Sequence, residues 1–273
     1  MRRNKQSANS IKNTLVHMNY IIQTSLQLFS KCSFLKKGFQ FIVLFFIVHP
    51  IYQCSGQNKD TATAYELKEG DINGIGKWYM GREIAHVMGF QGMSWLERPE
   101  REKEESTSTL LKYMQIQPGD DIADIGAGSG YHVFKMAPMV GKGHVYAVDI
   151  QEEMLAAMRN KKLQNGITNV SLIKGSEKSV ELPENTVDKV LLVDVYHEFN
   201  YPYEMMQSIK KALRPDGKIY LIEYRGEDPR VPIKEIHKMT QKQAVKEMKA
   251  LGLKLERNID TLPWQHCMVF VKE

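Results

Sequence analysis

The chain has 273 residues, of which 42% are hydrophobic and 25% charged, and a formal net charge of +5. That length can bury the core of one large domain or two small ones, and the composition argues against both a mostly disordered chain and a polytopic membrane protein. Three cysteines, Cys32, Cys54 and Cys267, are too few for a disulfide framework, and no CxxC or Cys/His cluster suggests a zinc site, so no metal ligand is expected. Of the 37 Lys and Arg, seven lie in residues 1–53, which hold no Asp or Glu; the remainder has 30 basic and 32 acidic residues, a net of −2. The basic character belongs to the N-terminal segment, and the rest lacks the basic stripe that nucleic acid would call for.

Residues 1–53 read as a targeting leader. Lys31, Lys36 and Lys37 precede an apolar run, Phe41–Val48, which is shorter than the roughly 20 residues of a bilayer span. A basic region followed by a short apolar stretch is the pattern of a signal peptide. Cys54, followed by Ser55 and Gly56, resembles a lipoprotein cleavage and lipidation site, although Gln53 stands where a small residue is usual. A non-lipidated signal peptide and an uncleaved anchor over 39–52 are the alternatives. Each of these readings places the protein outside the cytoplasm, in the periplasm or anchored to the membrane. Residues 54–74 read as a linker and 75–117 as a helical preamble, with Lys77–Met88 at helical spacing and Pro99 suited to open a second helix.

From residue 118 apolar runs alternate with helical segments. Strands are expected at Asp121–Ile125, Gly143–Asp149, Val170–Lys174, Val187–Val193, Lys218–Tyr224, Lys254–Ile259 and His266–Lys272. Helices are expected at Tyr131–Val140, Glu152–Gln164, Tyr203–Leu213 and Gln241–Leu251. Nearly continuous apolar strands separated by helices imply an α/β fold with a largely parallel sheet covered on both faces.

The most informative motif is Asp124-Ile-Gly-Ala-Gly-Ser-Gly130, between a strand and a helix. Glycines there allow a sharp turn and close approach of a ligand to the backbone. The spacing is G-x-G-x-G, not the G-x-G-x-x-G of dinucleotide binding, and no Gly-Lys-Ser/Thr of a phosphate loop is present. Asp124 would repel a pyrophosphate and suits a ligand with an ammonium group. Asp149 follows Gly130 by 19 residues, the distance at which a ribose-binding carboxylate is expected. Its competing role is to cap the helix that begins near Glu152.

The glycine loop, Asp149 and the Leu213–Lys218 turn together resemble the class I S-adenosylmethionine-dependent methyltransferases over about residues 118–273. The resemblance implies a Rossmann-like, doubly wound, mostly parallel seven-stranded sheet with an N-terminal helical lid. It implies S-adenosylmethionine as cofactor, held by Asp124, Gly126, Gly128, Gly130, Asp149 with its neighbour Ile150, Ser176 or Glu177, and Asp194. The segment Asp194-Val-Tyr-His-Glu-Phe199 resembles the Asp/Asn-x-x-His stretch of small-molecule and quinone or sterol methyltransferases. It implies Asp194 near the methionine moiety or the acceptor, Tyr196 and His197 lining the acceptor pocket, and His197 as general base. His197 and Tyr196 as structural residues are the competing reading. Arg225 and Arg230 are candidates for an anionic acceptor, and Tyr79, Arg82, His86, Trp95, Glu97 and Arg98 for a lid. Trp95–Arg101 resembles a segment of uncharacterised secreted bacterial methyltransferases.

These features imply methyl transfer to a small-molecule acceptor. The alternatives are a non-catalytic ligand-binding module on the same fold and a nicotinamide-dependent oxidoreductase, the latter disfavoured by the glycine spacing and Asp124. An exported user of S-adenosylmethionine would also need the cofactor supplied from the cytoplasm, where it is made.

Overall fold

The computed structural model describes residues 65–273; the leader, the apolar run and Cys54 lie outside the described residues. The chain opens with three short strands, β1 (Tyr65–Leu67), β2 (Gly74–Tyr79) and β3 (Arg82–Ala85), paired antiparallel in the order β1-β2-β3. This replaces the helix expected over Lys77–Met88. Tyr79 pairs with Arg82 across Met80 (φ 49°) and Gly81 (φ 92°), a two-residue hairpin turn with both φ positive, which Gly81 accommodates without strain. Tyr79 and Ile84 are fully buried on one face of this hairpin, while Trp78, the neighbour of Tyr79 in β2, points to the other face and Val87 is exposed. Strand β1 also shortens the expected linker.

A short helix not expected from the sequence, α1 (Met93–Leu96), comes next, and the helix expected after Pro99 is found as two, α2 (Arg101–Glu105) and α3 (Thr107–Met114), divided at Ser106 with φ 52°. Then β4 (Asp121–Ile125), α4 (Val133–Met136), β5 (His144–Asp149), α5 (Glu152–Gln164), β6 (Val170–Lys174) and β7 (Val187–Val193) alternate. The chain continues through α6 (Pro202–Ala212), β8 (Leu213–Arg225), β9 (Lys238–Met239), α7 (Gln241–Lys249), β10 (Leu253–Ile259) and β11 (Gln265–Lys272). Local chemistry accounts for several boundaries. Helix α5 carries Glu152 and Glu153 in its first turn and Lys161 and Lys162 in its last, matching the helix dipole, and Pro202 opens α6. The Thr240 side chain caps α7 by accepting the Gln243 N–H.

The large sheet runs β10-β11-β8-β7-β4-β5-β6, with the two-residue β9 beside β8. All pairings are parallel except those of β11, which runs antiparallel to both neighbours. The seven expected strands are these, and β8 is longer than expected: it takes in the Arg214–Gly217 turn through a register shift opposite β7. Alternate residues feed the two faces. Val190 and Leu192 of β7 join Ile219 and Leu221 of β8 in one core with α6 and α7. Leu191, Tyr220 and Ile222 face the other, with α3, α4 and α5. Strand order reverses between β4 and β7, so a crevice opens beyond their carboxyl ends, where ligands of such sheets sit.

The hairpin and α1 cover that end. Arg82 holds Glu247 of α7 with two bonds, at 2.9 and 3.0 Å, and also donates to the His197 carbonyl. Lys77 Nζ donates to the Asn200 carbonyl at 2.6 Å, and Tyr65 OH to Glu204 at 2.5 Å. The lid is thus part strand and part helix.

Candidate active site

A cavity of about 740 Å³ lies at this end of the sheet. Gly126 and Gly128, at φ 72° and 55°, form its floor after β4. A Cβ on Gly126 would sit 2.4 Å from Val195 Cγ2, and one on Gly128 2.7 Å from Leu96 Cδ1, so larger residues would close the space between the loop and its neighbours. Gly130 does not line the cavity. Its α-face packs against Phe134 and Met158, so its part is to seat the loop on the domain.

Asp149 ends β5 and is buried. Its Oδ2 accepts the Gly128 N–H and its Oδ1 the Gln151 N–H, both at 2.8 Å, so one carboxylate links the glycine loop to the start of α5. Burial raises its pKa, against those backbone donors, and its side chain borders the cavity beside Ile150 and Gln151. Ser176 and Glu177, in the loop after β6, border it as well; Glu177 accepts Asn200 Nδ2 at 3.0 Å. Asp124 lies beneath the loop and off the cavity wall. Its Oδ2 is buried with no hydrogen-bond partner among the described residues, and burial pushes its pKa to about 7, opposed by Arg101 and assisted by Asp149.

Beyond β7 the backbone turns sharply at Asp194, whose φ is 50°. Its Oδ2 accepts Gln265 Nε2 at 2.6 Å, while Oδ1 is buried and unpartnered among the described residues. Burial, then the charges of Glu105 and Glu223, hold this carboxyl well above the usual range. A 3-10 turn at Tyr196–Glu198 follows. His197 Nδ1 meets Glu223 Oε2 at 2.6 Å, and its Nε2 meets His237 Nδ1 at 3.1 Å. A carboxylate at Nδ1 makes that nitrogen the protonated one, which leaves the Nε2 lone pair toward His237. Burial lowers the His197 pKa, but the charge and hydrogen bond of Glu223, with Glu198, raise it overall. Burial and the neighbouring His197 press His237 down to about 4, and burial lifts Glu198 to about 7.

Tyr196 corrects one expectation. It is fully buried away from the cavity wall, and its hydroxyl donates to Glu247 at 2.7 Å, so it packs the fold and does not line an acceptor pocket. Successive side chains of a 3-10 turn point about 120° apart, so Tyr196 goes inward while His197 and Glu198 line the cavity. Arg225 and Arg230 are also engaged elsewhere: Arg225 with Asp260 and the Leu262 and Pro263 carbonyls, Arg230 with Asp228. Of the lid candidates, His86 and Trp95 border the cavity, Tyr79 is core, Glu97 pairs with Lys161, and Arg98 stacks on Trp95 while pairing with Glu104 and Glu105. Glu223, His237, Gln265 and Arg101 were not anticipated as site residues. The acid at the end of a central strand was the one available signal, since Glu223 closes the apolar run of β8.

The family model described as "Methyltransferase domain" matches residues 116–267. The chain belongs to that family. An uncharacterized methyltransferase, YdaC, of Bacillus subtilis is 30% identical over 142 residues, covering 52% of this chain and 76% of that protein. A demethylmenaquinone methyltransferase of Listeria monocytogenes is 27% identical over 123 residues, 45% of this chain and 51% of the relative, so the chain spans only about half the length of such relatives. A solved SAM dependent methyltransferase from Aquifex aeolicus has a TM-score of 0.64 at 24% identity, over 67% of this chain and 98% of that one, which shows the shared class I, Rossmann-like fold. The protein is a class I S-adenosylmethionine-dependent methyltransferase.

The residues present fit the cofactor. The loop leaves the room that a Cβ at Gly126 or Gly128 would fill, Asp149 presents acceptors at the cavity wall, and Asp194 keeps a buried oxygen without a partner among the described residues. When bound, S-adenosylmethionine supplies an electrophilic methyl group on a sulfonium. Asp149 would be the acceptor for a diol, Gly126 and Gly128 would admit the ligand against the backbone, and Ser176, Glu177 and Ile150 would border it.

Proposed function

We propose that this methyltransferase acts on a small, largely apolar acceptor bearing an acidic hydroxyl, of which a quinol or phenol ring is the type. Met88, Trp95, Leu96, Val195, Phe199 and Ile233 give the cavity an apolar wall, and His197, Glu198 and His237 come together at one place on it. The observation that carries the reading is the His197–Glu223 pair at that end. Methyl transfer needs the acceptor held in line at about 3–3.5 Å, and a base where the acceptor must lose a proton. Glu223 fixes the tautomer that leaves the Nε2 lone pair, shared with His237 Nδ1, as the group to take that proton. Asp194 supports the reading as a polar contact at the carboxyl end of β7. The likeness to a demethylmenaquinone methyltransferase agrees with a ring acceptor.

The test is transfer of label from methyl-labelled S-adenosylmethionine to a panel of demethylquinols and simple phenols. Label in the organic extract is expected. Transfer confined to protein or nucleic acid, by a preparation that binds S-adenosylhomocysteine, would overturn the acceptor class.

We also infer, from the basic and apolar pattern of residues 1–53, export with lipidation at Cys54. Labelled palmitate entering the wild type but not Cys54→Ala is the expected result, and an unlabelled cytosolic full-length protein refutes it.

A further inference from the structure

The His197 end of the cavity holds more than a base. Three side chains converge there from two turns that are distant in sequence: His197 and Glu198 after β7, and His237 in the 3-10 turn Glu235–His237 before β9. His197 Nε2 and His237 Nδ1 are 3.1 Å apart, and Glu198 Oε1 is 3.8 Å from each. Ligands at about 2.0–2.1 Å from a tetrahedral zinc are about 3.3 Å from one another. The triangle is therefore within about half an ångström of the edges a metal would impose, with no change of backbone required.

We propose that His197, Glu198 and His237 bind a divalent transition-metal ion, zinc in the first instance, with one coordination position open to the cavity.

Three further observations support the site. His197 gives its other ring nitrogen to a fully buried carboxylate, Glu223, at 2.6 Å. A carboxylate behind a ligating histidine is the usual device for fixing a metal ligand's tautomer and raising its basicity. Glu198 is anchored through its other oxygen, Oε2, which accepts the Met88 N–H at 3.2 Å, so Oε1 is held toward the two histidines. The charge balance also fits. Glu198 and Glu223 are both buried beside the histidines, and the nearby Arg82 guanidinium is committed to Glu247 and a backbone carbonyl. Two imidazoles and one carboxylate suit zinc, and three protein ligands with an open fourth position are the pattern of a catalytic site, not a structural one. Zinc binding stands independently of the acceptor assignment. An Nε2 that holds zinc cannot also take a proton, so with the metal bound the open position, and not His197, would bind and acidify the acceptor hydroxyl, its proton passing to solvent; this step rests on the reading under Proposed function.

The experiment uses the full chain, stripped with a chelator and titrated with zinc against a chromophoric competitor, then with cobalt to read its visible absorption. Residues 1–53 include His17, His49 and Cys32, and Cys54 follows, so the readout is the equivalent of metal that His237→Ala loses. We expect one such equivalent, weakened at least 100-fold in His237→Ala and about 10–100-fold in Glu223→Gln, while His144→Ala at the opposite sheet edge leaves it unchanged. Binding of S-adenosylhomocysteine is measured on the same samples. Wild type that binds S-adenosylhomocysteine but takes up no zinc, or zinc binding equal in wild type, His237→Ala and His197→Ala, overturns the metal site and leaves the methyltransferase reading standing. Zinc uptake lost in His237→Ala supports the site even where no acceptor in the panel is methylated, an outcome that counts against the acceptor alone.

Discussion

His197 Nδ1 lies 2.6 Å from Glu223 Oε2, and neither side chain is more than 2% exposed. The pair crosses from the turn after β7 to the end of β8, so two neighbouring strands on one side of the crevice jointly position one imidazole. Glu223 is the reason His197 holds its proton above the ordinary range despite burial. In chelator-treated protein, an NMR titration of the imidazole should therefore give a midpoint above 6.5 in wild type. Glu223→Gln removes the charge that favours the protonated ring while burial remains, so the midpoint should fall. A base works unprotonated, and the rising limb of the pH–rate profile should move to lower pH in that variant. A midpoint unchanged in Glu223→Gln would show that the carboxylate does not govern this histidine.

Asp149 joins the glycine loop to α5 through two backbone N–H groups as well as facing the cavity. Asp149→Ala strips both donors of their acceptor and takes away the carboxylate at the cavity wall. Calorimetry should show S-adenosylhomocysteine affinity reduced at least 100-fold, about 2.7 kcal/mol. Asp149→Asn keeps an acceptor oxygen and should lose less. Equal affinity in wild type and Asp149→Ala would remove this residue from the cofactor site.

Much of this was legible in the sequence, for physical reasons that can be traced. Strands β4, β6 and β7 and helix α5 were bounded correctly because their apolar runs end abruptly at charged or glycine-bearing turns, such as Asn165-Gly166. The Lys77–Met88 segment was misjudged because Trp78, Tyr79, Ile84 and Val87 satisfy a helical period as readily as an alternating one. Only the positive φ at Met80 and Gly81 decides between them. Asp149 and the glycines sit within one βαβ unit and announce themselves by spacing. His237 is 40 residues beyond His197 in a loop, and no local pattern links them. Tyr196 and His197 are adjacent, and which of the two faces the cavity depends on the 3-10 turn that the chain makes there.

Asp124 predicts a conflict between stability and binding. Its pKa, 3.8 in the ordinary case, is pushed to about 7 by burial. A carboxyl whose folded pKa is raised stabilises the fold fully below the unfolded value, and that contribution is lost as pH rises through the folded value. Between about pH 4 and pH 7 the cofactor-free protein should therefore lose stability, on the order of 4 kcal/mol from this group. Asp124→Asn should flatten the dependence of melting temperature on pH over that window and raise the melting temperature at pH 8. If Asp124 serves a cationic ligand, the same variant should bind S-adenosylhomocysteine more weakly. An unaltered pH–stability curve in Asp124→Asn would show that the buried carboxyl is not the titrating group.

Arg82 and Glu247 tie the β2–β3 hairpin to α7, and Tyr196 OH shares the same carboxylate. The Glu247 side chain is fully buried and that of Arg82 is 10% exposed, so removing either charge alone strands the other. Glu247→Ala should destabilise the protein by about 3–5 kcal/mol in denaturant unfolding, because the guanidinium is left buried without its partner. The double variant Arg82→Met, Glu247→Leu removes both charges and keeps the volume, and should recover most of that loss. The two variants separate stability from function. The double variant should fold yet cover the cavity less firmly, since Arg82 also reaches the His197 carbonyl. Faster amide exchange across residues 82–88, with unfolding close to wild type, is the expected signature. Equal destabilisation in the single and double variants would mean that packing of these side chains, and not their pairing, holds the hairpin over the site.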